Sequence, residues 1–392
     1  MPAVTENREV PDVTEESHEA ARWRGPSMVP EKFSTGSSTP DERSSPHVTP
    51  SYPQAAGAQM VSRETTGADD VSRGTKPVWQ VRTAADLATQ ETSYDDHATP
   101  LAQAAQHSVL ARTGGLRRQG MPRPDGTRVF VVANQKGGVG KTTSTVNVAA
   151  GLAQLGQKVL VIDLDPQGNA STALSIEHHR GVPSTYDMIV DGQPLAEVMS
   201  ECPDIRGLWA VPATIDLAGA EIELVTVEAR EQRLARALAA HPQIGSAAQA
   251  GDDRFDYVFV DCPPSLGLLT LNALVAGREM FIPIQAEYYA LEGLGQLIET
   301  VDMVRQHLNP QLIVSTILVT MYDARTRLAA GVAEEVRSHF GDQVLKTAVP
   351  RSVRVSEAPS YGQTVMTYDP ASAGALSYLE AAREIATKGA PA

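Results

Sequence analysis

The chain has 392 residues, and 42% of them are hydrophobic, which is enough to build a substantial core. Its 33 basic and 47 acidic residues give a net charge of −14. This charge excludes a protein that coats nucleic acid with a uniformly basic surface, but it does not exclude a local basic patch. Two cysteines, Cys202 and Cys262, exclude a disulfide scaffold and a four-cysteine zinc site. With no secretion signal and no apolar run of about 18 residues, we expect a cytoplasmic protein without membrane insertion.

The amino-terminal third differs in composition from the rest. Residues 1–126 hold 12 of the 26 prolines and only 15 Leu, Ile, Val or Phe residues. This apolar share lies below the ~20% at which chains tend to remain unfolded, because too little surface can be buried to offset the entropy of ordering. We therefore predict a disordered, low-complexity extension over 1–126, acting as a flexible tail or as a docking segment for a polar scaffold protein, and a folded domain over 127–392.

After residue 126, short β-rich runs alternate with helical stretches. The predicted strands cover 129–133, 159–163, 208–212, 256–261, 280–284, 312–320 and 344–350. The predicted helices cover 141–155, 226–241, 266–277, 289–308, 326–340 and 374–387. Apolar strands that alternate with helices are typical of an α/β fold, a parallel doubly wound sheet with helices on both faces. Ligands of such sheets bind at the carboxyl ends of the strands.

A glycine-rich loop, NQKGGVGKTT (134–143), lies between the first predicted strand and the first predicted helix. This context is the one that a phosphate-binding loop requires. Gly137, Gly138 and Gly140 let successive backbone N–H groups point inward at phosphate oxygens. Lys141 supplies charge to the β- and γ-phosphates, and the Thr142 hydroxyl is placed for Mg²⁺.

Acidic residues end two of the predicted strands. Asp163 and Asp165 follow the second strand, and alternation places them on the same side of the chain. Asp261 ends the strand YVFVD as a Walker B acid does, and such an acid binds Mg²⁺ through water. We therefore expect these carboxylates beside the phosphate loop, where they hold a metal and orient a water for in-line attack.

These motifs carry a resemblance to a known family. KGGVGKTT (136–143) resembles the deviant phosphate loop of the ParA/MinD ATPases, VIDLDPQGNAS (161–171) resembles their switch I, and VFVDCPPSLG (258–267) their switch II. The resemblance spans 127–388 and is strongest to the chromosomal ParA (Soj) branch. Further segments that carry it lie at 211–224, 283–294, 318–326 and 350–362.

The resemblance implies a slow ATP hydrolase that a partner stimulates, with ATP and Mg²⁺ bound. Lys136 would reach the nucleotide of a second subunit, Asp165 would position the attacking water, and Asp163 would help to organise the metal site. The implied catalytic residues are Lys136, Lys141 and Asp165. The implied metal-site residues are Thr142, Asp163 and Asp261. The implied nucleotide contacts are Lys136, Gly137, Gly138, Val139, Gly140, Lys141, Thr142 and Thr143, with Met321 and Pro350 near the base.

Basic residues are concentrated in one part of the folded region. Residues 321–354 carry a net charge of +2 within a domain of −10. The resemblance assigns Arg325 and Arg354 to non-specific DNA contact, which counterion release would drive. It implies chromosome segregation by an ATP-dependent homodimer that binds the nucleoid and is released when a ParB-like centromere-binding protein stimulates hydrolysis.

Three alternatives remain open at this point. A MinD-like division-site ATPase requires a basic amphipathic carboxyl-terminal helix, whereas residues 375–392 contain only Arg383 and Lys388 as basic residues. An iron–sulfur carrier of the same fold requires paired cysteines at a dimer interface. A DNA-bound regulator or scaffold that does not hydrolyse nucleotide is disfavoured by the intact Asp165 and Asp261.

Overall fold

The structure is a computed structural model that describes residues 121–246, 251, 253–287 and 290–389. These residues form an eight-stranded sheet of order β3-β4-β2-β5-β1-β6-β7-β8. All strand pairs are parallel except β3 with β4. The strands are β1 (Arg128–Val132), β2 (Val159–Asp163), β3 (Ser200–Glu201), β4 (Leu208–Val211), β5 (Tyr257–Asp261), β6 (Glu279–Gln285), β7 (Ile313–Tyr322) and β8 (Val344–Pro350).

Helices connect the strands and cover both faces of the sheet. The α-helices are α1 (Lys141–Gln154), α2 (Asn169–Ala173), α3 (Leu195–Val198), α4 (Leu217–Glu223), α5 (Arg233–Ala240), α6 (Leu268–Ala276), α7 (Ala290–His307), α8 (Arg327–Phe340), α9 (Val353–Glu357), α10 (Val365–Tyr368) and α11 (Ala373–Lys388). A π-helical turn covers Asp187–Asp191, and 3-10 turns cover Leu224–Thr226, Arg230–Gln232, Gly341–Gln343 and Ala358–Tyr361. The predicted doubly wound α/β fold is confirmed.

Two apolar cores explain why helices are needed on both sides. Side chains of a strand alternate between the two faces of a sheet. Accordingly, Val131 and Val260 belong to one buried cluster, and Phe130 and Phe259 belong to the other. All four side chains are fully buried. The central strands are therefore apolar on both faces, as the near-continuous apolar runs in the sequence predicted.

The predicted helix over 226–241 is wrong in its first half. The chain there forms the 3-10 turn Arg230–Gln232 and then the shorter helix α5. Ala229 adopts a φ of 50°, in the left-handed region, which interrupts right-handed helix geometry. Strand β3 was not predicted, because two residues are too few to show a periodic pattern.

The folded region starts earlier than residue 127. The N–H of Met121 donates to the carbonyl of Leu155 at 3.3 Å, and Arg123 Nε donates to Asp256 Oδ1 at 2.7 Å. Residues 121–126 thus pack on the domain. The predicted disorder of the remaining extension, residues 1–120, lies outside the described residues.

The register of the parallel strands positions the polar ends of three of them together. Val132 of β1 pairs with Asp261 of β5, and Asp163 of β2 pairs with the same Asp261. The carboxyl ends of β1, β2 and β5 therefore meet at one edge of the sheet.

Within the described part of the chain, no helix is long and apolar enough to cross a membrane.

Candidate nucleotide site

The loop between β1 and α1 has the backbone shape of a phosphate cradle. Gly138 and Gly140 adopt φ values of 75° and 87°, which side chains other than glycine rarely allow. A Cβ atom placed on Gly137 or Gly138 would meet no atom within 4 Å, so the space in front of the loop is open. The loop leads directly into the amino terminus of α1, where free backbone N–H groups and the helix dipole favour an anion.

Two polar side chains attach the cradle to strands β6 and β7. Asn134 Nδ2 donates to the carbonyl of Pro283 at 2.9 Å, and Asn134 Oδ1 accepts from the N–H of Lys136 at 3.0 Å. Thr320 Oγ1, on β7, donates to the carbonyl of Val139 at 2.8 Å. Neither residue was among the site residues predicted from the sequence. Asn134 lies within the glycine-rich motif NQKGGVGKTT, whereas the only sequence signal for Thr320 is its position at the end of a predicted strand.

Lys141 is the first residue of α1 and is only 8% exposed. Its burial lowers the pKa of the ammonium, whereas the negative charges of Asp261 and Asp165 oppose this shift. The structure therefore brings together the loop lysine and two of the predicted carboxylates. A cation held in this way at the mouth of the cradle is suited to phosphate oxygens.

Asp261, the predicted Walker B acid, is completely buried. Its Oδ1 accepts from Thr145 Oγ1 at 2.8 Å, while Oδ2 has no hydrogen-bond partner among the described residues. Burial and the charge of Asp163 raise the pKa of Asp261 to about 8, and the hydroxyls of Thr142 and Thr145 oppose this shift. A buried carboxylate oxygen without a partner, close to a threonine hydroxyl, fits the oxygen ligands that Mg²⁺ prefers.

Asp163 is almost completely buried and both of its oxygens hold the loop that follows β2. Oδ1 accepts from the N–H of Asp165 at 3.1 Å, and Oδ2 accepts from the N–H and Oγ of Ser171 at 2.9 and 2.7 Å. Burial raises the pKa of Asp163 to about 6. This geometry favours a role in shaping the loop over direct contact with a metal. Ser171, which sequence analysis did not assign, also accepts from the N–H of Ala213 at 3.1 Å.

Asp165 lies in the loop after β2 and is 8% exposed. Its Oδ1 accepts from the N–H of Gln167 at 3.0 Å, which fixes the carboxylate in the loop. Its charge acts on Lys141, so it lies near the position expected for the terminal phosphate. The predicted role in positioning water remains a prediction.

Lys136 lies on the outer rim of the cradle. Its Nζ is 2.9 Å from Glu287 Oε2, and the two side chains are 35% and 46% exposed. Glu287 Oε1 also accepts from Gln285 Nε2 at 2.5 Å. The sequence did not predict this ion pair. A lysine that is held by one half-exposed acid can reach an anion that arrives from outside the subunit.

Met321 is the second-last residue of β7, and Pro350 is the last residue of the adjacent strand β8. Tyr322, next to Met321, pairs with Pro350 in the parallel register. Met321 adopts a φ of 50°, which is strained for a residue with a side chain and costs roughly 1–3 kcal/mol. Both residues therefore lie at the same edge of the sheet as the phosphate loop. Their contact with a base stays a prediction.

The two arginines that were assigned to DNA contact are both paired with carboxylates. Arg325 donates to both oxygens of Asp323, with Nε to Oδ1 at 2.9 Å and Nη2 to Oδ2 at 2.7 Å. This pairing lowers the pKa of Asp323 to about 2. Arg354 lies 3.2 Å from Glu357 and 3.5 Å from Asp369. DNA phosphates would have to compete with these acids, and the sequence did not predict these ion pairs.

The two cysteines and the apolar residues of the last helix are buried in the structure. Cys202 and Cys262 are free and buried, and burial raises the pKa of Cys202 to about 12. They are placed as packed core residues, not as accessible metal ligands. On α11, the apolar residues Leu379 and Ile385 are buried in the core that also contains α1. The apolar face of this helix is therefore covered by the protein itself.

Comparison with known proteins identifies the family. Residues 127–314 match the family described as AAA domain. The chain is 50% identical over 262 residues to the sporulation initiation inhibitor protein Soj of Bacillus subtilis, covering 67% of this chain and 99% of that protein. It is 47% identical over 264 residues to the chromosome partitioning protein ParA of Myxococcus xanthus, covering 67% of this chain and 89% of that protein. The chain belongs to the ParA/Soj family of chromosome-partitioning ATPases.

Solved structures share the fold of this ParA/Soj family member. A Mycobacterium smegmatis protein described as cobyrinic acid a,c-diamide synthase, with bound ADP and magnesium, is 37% identical with a TM-score of 0.54, covering 65% of this chain and 92% of that chain. The septum site-determining protein MinD of Pyrococcus horikoshii, complexed with Mg-ADP, is 20% identical with a TM-score of 0.51, covering 65% of this chain and 94% of that chain. At that identity, MinD supports the fold alone.

Proposed function

We propose that this ParA/Soj family member segregates chromosomes by a slow cycle of ATP binding, dimer formation, DNA binding and partner-stimulated hydrolysis. The observation that carries the proposal is the open phosphate cradle with the buried Lys141 and Asp261 beside it, where Asp261 Oδ2 has no hydrogen-bond partner in the described part of the chain. Identity of 50% to a Soj protein along 99% of its length supports the biological assignment.

Each residue of the pocket has its own role in the proposed hydrolysis. The backbone N–H groups of residues 137–143 bind the phosphates, and Lys141 neutralises charge on the β- and γ-phosphates. Thr142 and Asp261 would hold Mg²⁺, which supplies further neutralisation of the phosphate charge when it is bound. Asp163 keeps the following loop folded through Ser171, and this places Asp165 to orient the attacking water and accept its proton.

Lys136 connects the pocket to a second subunit. Its ammonium lies on the rim, and its contact with Glu287 is a half-exposed ion pair that contributes little to stability. A triphosphate that a second copy presents carries more negative charge than one carboxylate, so Lys136 would move to it. The γ-phosphate, which is present in ATP and absent from ADP, then stabilises the dimer relative to the monomer.

The dimer would bind DNA through the segment 321–354. Each subunit contributes Arg325 and Arg354, so a dimer doubles the number of phosphate contacts and strengthens binding more than additively. A ParB-like centromere-binding protein would stimulate hydrolysis and release the dimer. The protein would therefore be found on the nucleoid in the cytoplasm.

One other activity has less support. A division-site ATPase of the MinD kind requires an amphipathic helix that is free to bind a membrane. Here the apolar residues of α11 are buried in the core.

Three assays on the full chain test the proposal. Purified protein should release phosphate from ATP slowly, and a ParB-like partner with DNA should raise the rate. DNA should be retained with ATP and Mg²⁺ but not with ADP. Equal DNA retention in both nucleotide states would contradict the proposed switch.

The amino-terminal extension is proposed to dock a polar scaffold protein. Because residues 121–126 pack on the domain, a truncation should begin at Met121 and not at residue 127. Imaging of the tagged protein should show that the truncated form keeps nucleoid association and loses polar localisation. An unchanged pattern would contradict this role.

A further inference from the structure

A groove lies at the amino-terminal ends of β2 and β4, on the opposite side of the sheet from the carboxyl ends that form the nucleotide pocket. It is lined by Gln157 and Lys158 before β2, by Ile205 and Gly207 before β4, and by Trp209 of β4. Its volume is about 620 Å³, within the roughly 300–1,000 Å³ of ligand-binding pockets. We call it the β4 groove.

The first described residues of the chain lead directly to the β4 groove. The carbonyl of Met121 accepts from Gln157 Nε2 at 2.9 Å, before β2, and Arg123 donates to Asp256, before β5. From the start of β1 back to Met121, the chain therefore passes the ends of β1, β5 and β2, which are neighbours in the sheet. The next strand in that order is β4. The residues that precede Met121 are thus directed at the β4 groove.

The floor of the β4 groove is apolar. Ile205 is 7% exposed and belongs to the same buried cluster as Leu155, against which Met121 is packed. Trp209 is half-buried, and its ring meets the ring of Phe255 edge to face at 6.4 Å. A half-buried tryptophan offers a large apolar area that a bound segment can cover.

Gln157 supplies an unused hydrogen-bond acceptor to this groove. The residue is only 2% exposed, and its Nε2 is used by Met121. Its Oε1 has no hydrogen-bond partner among the described residues. A buried polar oxygen without a partner is unfavourable, and a backbone N–H of an extended segment can satisfy it.

The rim of the β4 groove has a small excess of negative charge. Its acids are Glu201 and Asp204, both exposed, and its bases are Lys158 and Arg206. The charge of Lys158 is matched by Asp253, because its Nζ lies 2.7 Å from the carboxylate. One acid more than base remains, so the rim favours a basic occupant.

The segment before Met121 has this chemistry. Residues 97–120 contain three arginines and no acidic residue, although the whole chain carries a net charge of −14. The last eight of them, TGGLRRQG (113–120), place Leu116 next to two of the arginines. Eight extended residues reach at most roughly 26 Å, which is enough to cross the groove. Because the segment is covalently attached, its effective concentration exceeds that of a free peptide or of a second copy.

We propose that residues 113–120 dock in the β4 groove, with Leu116 against Trp209 and with Arg117 and Arg118 facing the acids of the rim. A backbone N–H of the segment would donate to Gln157 Oε1. The docked segment would fix the point at which the extension leaves the domain, at the end of the strands opposite to the nucleotide pocket. The inference does not depend on the proposed ATP cycle.

Acrylamide quenching of Trp209 tests whether the groove is covered. The full chain with Trp23→Phe and Trp79→Phe retains Trp209 as its single tryptophan and serves as the parent. Leu116→Ser, Arg117→Ser and Arg118→Ser combined should raise the quenching constant at least about twofold, because a docked segment excludes solutes from the groove.

Leu110→Ser combined with Arg112→Ser is the matched control, because it removes the same side-chain types just outside 113–120, and it should be quenched like the parent. Parental quenching of the triple variant would overturn the inference. Quenching of the parent that falls as protein concentration rises would assign the groove to a second copy and would also overturn it.

Trypsin cleavage after Arg118 in the full chain, followed by mass spectrometry, tests the charge contact separately. Asp204→Lys should accelerate this cleavage several-fold, and more at low salt than at high salt, because it replaces an attractive charge by a repulsive one. Glu334→Lys changes an exposed acid on α8, outside the groove, and should be cleaved like the parent. Equal cleavage of the parent and Asp204→Lys would overturn the assigned contact with the rim.

Discussion

The nucleotide pocket and the basic segment 321–354 are built on different physical principles. In the pocket, Asp163 and Asp261 are 1% and 0% exposed. Asp261 accepts a hydrogen bond from Thr145, which lies far away in the sequence, and Asp163 accepts from Ser171 in the loop that follows β2. On the basic segment, the side chain of Arg325 is 89% exposed and is held by Asp323 only two residues away. The side chains of the pocket are thus already fixed in position before a ligand binds. On the basic segment, by contrast, DNA phosphates must replace the carboxylates that now pair with the arginines.

This difference sets the size of the effects to expect. Charges in a buried, water-poor pocket interact strongly and cannot be replaced by solvent. Exposed ion pairs contribute about 0–1 kcal/mol and are screened by salt. Substitutions in the pocket should therefore change rates by orders of magnitude, and substitutions on the basic segment should change affinities several-fold and in a salt-dependent way.

The largest effect is expected for Lys141→Ala. Removing the buried cation leaves the phosphate charge and the carboxylates of Asp165 and Asp261 uncompensated, so ATP hydrolysis should fall by at least about 10²–10³-fold. Phosphate release measures this effect. Lys346→Ala removes an exposed lysine on β8 and should hydrolyse ATP at the parental rate. A Lys141→Ala variant that retains normal turnover would show that the cradle is not the catalytic pocket.

Asp165→Ala should separate binding from hydrolysis. If Asp165 orients the attacking water, turnover should fall by about 10²–10⁴-fold while ATP binding, followed by equilibrium dialysis, is retained. Asp163→Asn is the contrasting variant, because it replaces one of the two carboxylate oxygens, which accept from Asp165 and Ser171, by an amide donor and should lower the melting temperature as well. Full turnover by Asp165→Ala would refute its assigned role.

The motifs of the pocket were predictable from the sequence for a physical reason. The phosphate loop is a local structure that glycines and one helix start determine, and parallel register brings the ends of β2 and β5 together. The hydrogen bonds that hold the pocket in place from distant parts of the chain were not predictable. Thr145 and Asp261 are 116 residues apart, and Thr320 and Val139 are 181 residues apart, so only the folded chain shows that they meet.

Errors in the sequence prediction have equally specific causes. The break at Ala229 follows from one left-handed residue that composition does not reveal. The ordered residues 121–126 depend on pairing with Asp256, which lies far along the chain. The acids that pair with Lys136 and Arg325 were visible in the sequence, but their contacts depend on side-chain geometry.

Replacing Arg325 and Arg354 together by alanine should weaken DNA binding and leave ATP hydrolysis unchanged. Each arginine that contacts a phosphate adds about 0.9 to the slope of log affinity against log salt, so the slope should fall by roughly 2 per subunit. Fluorescence anisotropy across a salt series measures it. Arg305→Ala, which removes an exposed arginine paired with Asp302 on α7, should leave the slope unchanged. An unaltered slope in the double variant would place the DNA contacts elsewhere.

The smallest effect is expected for Asp323→Asn. This change removes the carboxylate that competes with DNA for Arg325, so DNA affinity should rise by up to about fivefold at low salt. The rise should disappear at high salt because the competing pair is exposed. Asp302→Asn, in the exposed pair with Arg305, is the matched control. Weaker DNA binding by Asp323→Asn would mean that the ion pair positions Arg325 instead of occupying it.

The central claim is that Lys136 joins two subunits across their nucleotides. The most direct test is the molar mass of the full chain in solution, by light scattering, with Mg²⁺ and a non-hydrolysable ATP analogue. The parent should double its mass, and Lys136→Ala should remain a single subunit while still binding the analogue. Single subunits in the parent, or an intact dimer in Lys136→Ala, would contradict the account.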